Sequence, residues 1–444
     1  MSLLPPITRT ALAAAALLAA LTFGAEAARG AGGGGTSAGG NSNVDPDMPG
    51  ELMVKLLRAS SLPALLNQYP VTLVSRFGAR PIYRLKVIGT ARVKDVLAAM
   101  AVDPAVLIAE ANATHRSPEA RRNGAWVIGS PSDYVAQWAP NAMHLSDAQA
   151  LATGQGVRVA VLDTGVEVTH PLLVGHMMRG RDFVDGDTFP AEVPGGAGFG
   201  HGTHVAGLVA LAAPKARIMP LRVLDADGVG NAWVLAEALL YAIDPDGNPA
   251  TDDGAQVINL SLGSLSRTRI MAAISQLASC EPPVPDDPIG DQSDPGYIDD
   301  QVRCAAGRST VIIAAAGNDG SSNVRQYPAA EGAYGLLAVG ASTSAQRVAA
   351  FSNTGSWVGV AAPGEGISSA LPGGLYGTWS GTSMAAPLVA GTAALIRSRT
   401  PSLPAKDVIR QITRNTSVLC GSNLRQVDAA AAVADVRIQD NACR

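Results

Sequence analysis

Three short stretches carry side chains that could do chemistry together. In "GTSMAAPLVAGTAALI" (381–396), Ser383 sets a hydroxyl at the mouth of a run of small and aliphatic residues. In "VRVAVLDTGV" (157–166), Asp163 leaves an apolar strand-like run. In "GHGTHVAG" (200–207), glycines clear the space around His201 at the start of a helical pattern. A hydroxyl is a weak nucleophile at neutral pH unless an adjacent base takes its proton, and an imidazole braced by a carboxylate is such a base. Each residue also has a bland reading. Ser383 or Thr382 would serve as a helix cap, and Asp163 could cap the turn after its strand. Zinc is excluded at the histidines: His201 and His204 are three apart, and the Glu of H-E-x-x-H is missing.

The set decides what no single residue does. "VAVLDTGVEVTHP", "GHGTHVAG", "NLSLG", "AAAGND" and "GTSMAAPLVAG" occur in that order. On these motifs, and over the chain from about residue 127 onward, the sequence resembles the subtilisin-like serine peptidases, and the Asp…His…Ser order is theirs. The resemblance implies a serine endopeptidase that hydrolyses peptide bonds through an acyl-enzyme. Ser383 would be nucleophile, His201 general base and then acid, and Asp163 the brace for the imidazole. Asn318 matches the side-chain oxyanion donor, whose loss costs about 2.7–4 kcal/mol of transition-state stabilisation in subtilisin. Two other readings are a catalytically silent binding protein on the same fold and a processing protease dedicated to one partner.

By the same resemblance, an extended substrate would pair between Gly228 and Gly230 on one side and Ser261, Leu262 and Gly263 on the other, a strand-addition mode. Ala315 and Gly317 would wall the pocket for the residue before the scissile bond (P1), with Gln326 at its base. A glutamine there implies small, moderate, polar or basic P1 residues over large aromatic ones. No cofactor is expected for the chemistry. Structural calcium is expected, since loops of carboxylates and carbonyls suit it. "RDFVDGDTFP" offers Asp182, Asp185 and Asp187, and "DPDGNPATDDG" (244–254) is a second acidic loop. One departure from the family stands at Leu172, where an Asp commonly follows His-Pro.

These side chains need a scaffold. From residue 117 to 444, apolar strand-like runs without polar alternation ("VRVAVLD", "AQVINLSLG", "TVIIAAAGN") alternate with helical ones ("HVAGLVALA", "VLAEALLYAI"). The expectation is an α/β catalytic domain, a parallel sheet flanked by helices on both faces, with active groups outside the strands' carboxyl ends. Residues 51–116 instead read β-α-β-β-α-β, a small α+β ferredoxin-like domain. By resemblance it is the family's inhibitory propeptide and acts as an intramolecular inhibitor, with self-cleavage expected between Asn112 and Asn123. The Gly/Ser-rich stretch 28–50 reads as a flexible tether. Residues 1–27 read as a secretory signal: Arg9, an Ala/Leu run shorter than the ~20 residues of a spanning helix, and "AEA" ending at Ala27.

Export, extracellular or periplasmic, gives the four cysteines an oxidising setting. Three connectivities exist, and proximity in sequence favours Cys280–Cys304 and Cys420–Cys443. The Pro/Asp-rich insertion between Cys280 and Cys304 reads as surface loop. With 444 residues, 47% hydrophobic and 16% charged, and a net charge of -4, the balance suits a globular protein acting on proteins or peptides. No nucleic-acid partner and no stable membrane anchor are expected, because basic residues are scattered and "ARR" (120–122) is too short for a binding arm. A monomer is expected.

Overall fold

The computed structural model describes residues 45–122, 126–280, 295–333 and 335–438. The residues read as a signal and Cys443 lie outside the described residues, as does most of the stretch read as a tether; the described residues belong to one compact unit. The first elements are β1 (Asp47–Leu56), α1 (Leu62–Gln68), β2 (Val71–Arg76), β3 (Ile82–Val87), α2 (Val93–Met100) and β4 (Val106–Arg116). They make an antiparallel sheet in the order β2-β3-β1-β4, packed around Leu52, Val54, Leu85 and Met100. The strand β1 starts earlier than residue 51, inside the stretch read as tether.

The remaining elements are β5 (Val127–Gly129), α3 (Pro131–Ala136), α4 (Ala139–Ala142), α5 (Leu145–Leu151), β6 (Arg158–Asp163), β7 (Arg181–Asp182), α6 (His201–Ala212), β8 (Arg217–Arg222) and β9 (Val229–Asn231). They continue through α7 (Ala232–Ile243), β10 (Val257–Leu260), α8 (Arg269–Ser279), α9 (Pro295–Ala305), β11 (Val311–Ala315), β12 (Leu336–Ser342) and β13 (Val358–Pro363). The chain closes with β14 (Ile367–Leu371), β15 (Leu375–Trp379), α10 (Thr382–Arg399), α11 (Ala405–Arg414), β16 (Thr416–Val418), β17 (Arg425–Val427) and α12 (Ala429–Ala434).

The central sheet runs β16-β17-β13-β12-β11-β10-β6-β8-β7, parallel throughout except for the edge strand β16. Its strands are apolar on both faces because both are covered. Val159, Val161, Val257, Val311 and Ile313 face α6 and α10, whereas Ala160, Leu162, Ile258, Ile312 and Ala314 face α7 and α8. Helix α10 is buried from Thr382 to Arg397, as an all-round apolar helix must be. It lies against α6 because Gly391 carries no side chain; a Cβ there would come within 2.3 Å of the Ala212 methyl.

A further expectation changes. The insertion after Cys280 is not all loop, since α9 occupies its second half. Arg303 on α9 is buried and donates to the carbonyls of Arg308 at 2.6 Å and Ala278 at 3.3 Å. These bonds, with the Asp300–Arg80 pair at 2.7 Å, anchor a helix whose composition looked loop-like. The Cys280–Cys304 disulfide is present as expected, with Cα atoms 5.4 Å apart. Cys420 is also disulfide-bonded, while its expected partner Cys443 falls outside the described residues. The strand β4 runs to Arg116, the expected end of the N-terminal domain, by pairing antiparallel with β9, Thr114 opposite Asn231 and Arg116 opposite Val229.

Candidate active site

The sheet delivers Asp163 at the last residue of β6, and the two central helices begin beside it, α6 with His201 and α10 with Thr382 and Ser383. All three key side chains are fully buried. His201 Nδ1 lies 2.6 Å from Asp163 Oδ1, which also accepts the Thr164 amide at 2.8 Å. The second histidine of the motif is structural. Burial drives His204 down to about 3, and its Nε2 faces the carbonyls of Ile367 and Gly377 at 3.1 and 3.2 Å. Trp379 packs edge-on against both imidazoles.

Ser383 and His201 do not bond each other. Both bond one atom of a residue that sequence reasoning missed: Glu119 Oε2 accepts from Ser383 Oγ at 2.6 Å and faces His201 Nε2 at 2.9 Å. The other oxygen, Oε1, accepts from Asn318 Nδ2 at 2.8 Å. Asn318 is held for this task, because its Oδ1 accepts from both Thr382 N and Thr382 Oγ1 at 2.9 Å. Ser261 Oγ donates to the Ser383 carbonyl at 3.0 Å, and Asn259 Nδ2 steadies Ser261 at 3.0 Å. Ser383 also stands in the first turn of α10, at the positive end of its dipole.

Charge follows this geometry. Burial alone would keep His201 neutral, but the Asp163 and Glu119 carboxylates outweigh it and hold the imidazole well above its usual value. Burial would likewise raise Glu119, yet its bonds to His201, Ser383 and Asn318 hold it below the usual carboxylate range.

A second missed carboxylate ties the site's loops together. Glu192 accepts from Thr164 Oγ1 at 3.0 Å and Gly200 N at 3.1 Å on one oxygen, and from Thr203 N at 2.9 Å and Thr203 Oγ1 at 3.0 Å on the other. It thereby links the residue after Asp163 to the start of the helix bearing His201. Burial raises it to about 7.

The cleft residues also converge. Arg116 lies between β9 and Gly263: its amide donates to the Gly263 carbonyl and its carbonyl accepts the Gly263 amide, both at 2.9 Å. The Gly228 carbonyl accepts Ser117 N at 3.0 Å, and Gly230 sits opposite His115. Leu262 turns into the core, and Ala315 ends β11 just before Gly317. Gln326 is fully buried and crosses between the two walls. A Cβ on Gly317 would stand 2.6 Å from Gln326 Cδ, and one on Gly263 2.9 Å from Gln326 Oε1. Gln326 Nε2 donates to Asp319 Oδ2 at 2.9 Å, which leaves Oε1 unpaired.

At the loop where Asp182, Asp185 and Asp187 were expected to hold calcium, a guanidinium stands among the carboxylates. Arg222 Nη1 pairs with Asp182 Oδ2 at 2.6 Å and also with Asp185 Oδ2. Asp182 Oδ1 accepts the amides of Val184 and Asp185, and Asp187 Oδ1 accepts that of Phe189. An arginine supplies the positive charge, and the three carboxylates do not gather around one point. Among the described residues, Asp244, Asp246 and Asp253 of the second acidic loop do bring one oxygen each within 4.8 Å of the others.

Comparison with known proteins places this geometry. The subtilase family (Peptidase_S8) matches residues 154–440, a span that holds Asp163, His201, Asn318 and Ser383. This chain belongs to the subtilase family. A thermophilic serine proteinase of Bacillus sp. (strain AK1) is 35% identical over 327 residues, covering 71% of this chain and 69% of that protein. Thermitase of Thermoactinomyces vulgaris is 36% identical over 273 residues, covering 59% of this subtilase and 82% of thermitase. In three dimensions, fervidolysin of Fervidobacterium pennivorans, a keratinolytic enzyme related to subtilisin, aligns with a TM-score of 0.65 at 23% identity. The match covers 86% of this chain and 61% of that one, and shows a shared fold. The α/β architecture and the hydrolase class therefore stand, and this subtilase is a subtilisin-like serine protease.

Proposed function

We propose that this subtilase is a serine endopeptidase working through an acyl-enzyme. Ser383 attacks, His201 takes and returns the proton, Asp163 stabilises the imidazolium, and Asn318 with the Ser383 amide binds the oxyanion. One observation carries the reading. A single carboxylate is held with one oxygen on Ser383 Oγ and His201 Nε2 and the other on Asn318 Nδ2. A carboxylate so placed occupies the position a substrate carbonyl would take between nucleophile and oxyanion donor. These side chains supply nucleophile, base and oxyanion donor, so the hydrolysis calls for no cofactor. The test is hydrolysis of casein and mixed peptides by the chain freed of its N-terminal domain, with products read by mass spectrometry. New peptide termini at many sites support a general endopeptidase; one cut in one partner would mark the specialist, and none the silent binding protein.

The chain reads as a secreted zymogen whose residues 45–121 inhibit it in cis. No helix among the described residues is long and apolar enough to cross a membrane. Two contacts support the inhibitory role. Asp45 pairs with Arg121 and accepts the Leu265 amide at 2.6 Å. Glu110 accepts the amides of Arg269 and Ile270 at 2.8 and 3.0 Å, at the first turn of α8. Burial raises Glu110 from 4.5 to about 7 against the pull of those amides and Arg269, with Glu331 adding a further push upward. A carboxyl raised on docking favours the docked state. That support is complete below the free value and is lost as pH rises through about 7. His115 works in the opposite sense, since burial lowers it to about 4. Glu110→Gln should therefore flatten the rise in release between pH 4.5 and about 7, relative to the unaltered chain. Proteolytic susceptibility of the 112–123 segment across pH reads this out; identical profiles would contradict it.

Specificity follows from Gln326. With its side chain between the pocket walls and Oε1 unpaired, the pocket is short and offers an acceptor. Small or hydrogen-bond-donating P1 residues are expected to exceed Phe and Tyr. Gln326→Gly should raise kcat/KM for aromatic P1 substrates by roughly tenfold or more, the scale of a few methylenes of pocket space. A peptide library dominated by Phe and Tyr in the unaltered enzyme would contradict this.

A further inference from the structure

We propose that the catalytic centre is a receptor for a side-chain carboxylate, and that residues 114–121 hold Glu119 in it as an uncut inhibitor. The proposal rests on the serine-peptidase reading of Ser383 and His201 given above.

A substrate presents a backbone carbonyl to the nucleophile and runs on past it. This segment does neither. Its extended part ends at Arg116 and Ser117, hydrogen-bonded to Gly263 and Gly228. The chain then turns: Ala120 N donates back to Ser117 Oγ at 3.3 Å, and the Arg121 amide to the Ser117 carbonyl at 3.4 Å. The Arg121 side chain returns to the entry side of the cleft, where it donates to the Gly263 carbonyl at 3.1 Å and pairs with Asp45. Both ends of the turn are therefore fastened upstream of Ser383, and only the Glu119 side chain enters the centre. Among the described residues, no backbone carbonyl of the segment accepts from Ser383 Oγ or Asn318 Nδ2; both donate to Glu119.

The receptor is shaped for that carboxylate. Glu119 is buried, with a hydrogen-bond partner on each oxygen. Gly381 makes the room: a Cβ there would fall 1.7 Å from Glu119 Oε1. The block is chemical as well as steric. With a carboxylate oxygen facing each ring nitrogen, the geometry favours a His201 protonated on both, which has no lone pair to accept the proton on Ser383. Ser383 meanwhile donates to Glu119, so its lone pairs have no carbonyl carbon before them. Removal of the domain then requires the turn to swing out first, and any cut between Asn112 and Asn123 follows release of Glu119.

The ligand class follows: a peptide carrying an acidic side chain on a tight turn after an extended Arg-Ser pair. The test compares full chains with Glu119, Glu119→Gln and Glu119→Ala, measuring the initial rate of fluorophosphonate labelling of the uncut band. Both variants should label at least tenfold faster than the unaltered chain. In parallel, a synthetic peptide of residues 112–122 is added to the chain activated by limited trypsin cleavage. It should inhibit and remain intact, and its Glu→Gln form should inhibit at least tenfold less. Variants that label no faster, while the activated chain labels readily, would overturn the carboxylate receptor and leave the peptidase reading intact. Cleavage of the peptide next to its Glu would also overturn it. An activated chain that does not label would overturn both.

Discussion

Replacing Ser383 by Ala should lower kcat on any peptide substrate by about 10^6-fold, the scale of losing the nucleophile from a unit of this kind. The side chain is buried, small and at the second position of α10, where its backbone already makes the helix start. Its amide is untouched by the change, as are the Ser261–Ser383 carbonyl bond and the Asn318–Thr382 bonds. The variant should therefore fold with an unchanged melting temperature and still bind substrate, so KM moves little while kcat collapses. What remains is the rate given by binding and the oxyanion donors alone. Thermal melting and substrate binding measured beside hydrolysis separate this from partial unfolding. A Ser383→Ala enzyme retaining even a hundredth of its turnover would require another nucleophile.

Asp163→Asn should cost ~10^4-fold in kcat at neutral pH. The amide could still accept from the Thr164 amide and the His201 ring, so the geometry would persist. What disappears is the negative charge beside the imidazolium that forms as Ser383 gives up its proton. The sign of the accompanying pH effect is fixed. Asp163 raises the His201 value against the opposing effect of burial, so its loss lowers that value. The acid limb of the kcat/KM profile should therefore move to lower pH in the variant, a readout that a merely structural role would not change. An unmoved limb, or a loss below tenfold, would contradict the role given to Asp163.

The parts of this molecule that were readable from sequence are those fixed by local pattern. Unbroken apolar runs announced the buried parallel strands, because a strand covered on both faces has no polar side to show. The five motifs marked Asp163, His201, Asn318 and Ser383 through the family resemblance they carry together, since each residue alone reads equally as a cap or a turn. Helix α9 was hidden because Arg303 reaches the Ala278 carbonyl and Asp300 pairs with Arg80, contacts that its own composition does not announce. The Asp182 loop is a related case. Its composition suits a cation, and only the fold brings Arg222 to it. Glu119 was invisible in "SPEARR", a polar stretch with no periodicity. Its meaning depends on a bond to a serine 264 residues away, and Glu192 in "PAEVPGG" is the same case. A carboxylate's role is set by what surrounds it, and that is decided by the path of the whole chain.

The account stands on Ser383 becoming a nucleophile once Glu119 has left it. The direct measurement is peptide-mapping mass spectrometry of the trypsin-activated chain after treatment with a fluorophosphonate. The account predicts one adduct, on Ser383, that is absent when His201 is replaced by Ala. An adduct on a different serine, or equal labelling of Ser383 without His201, would contradict it.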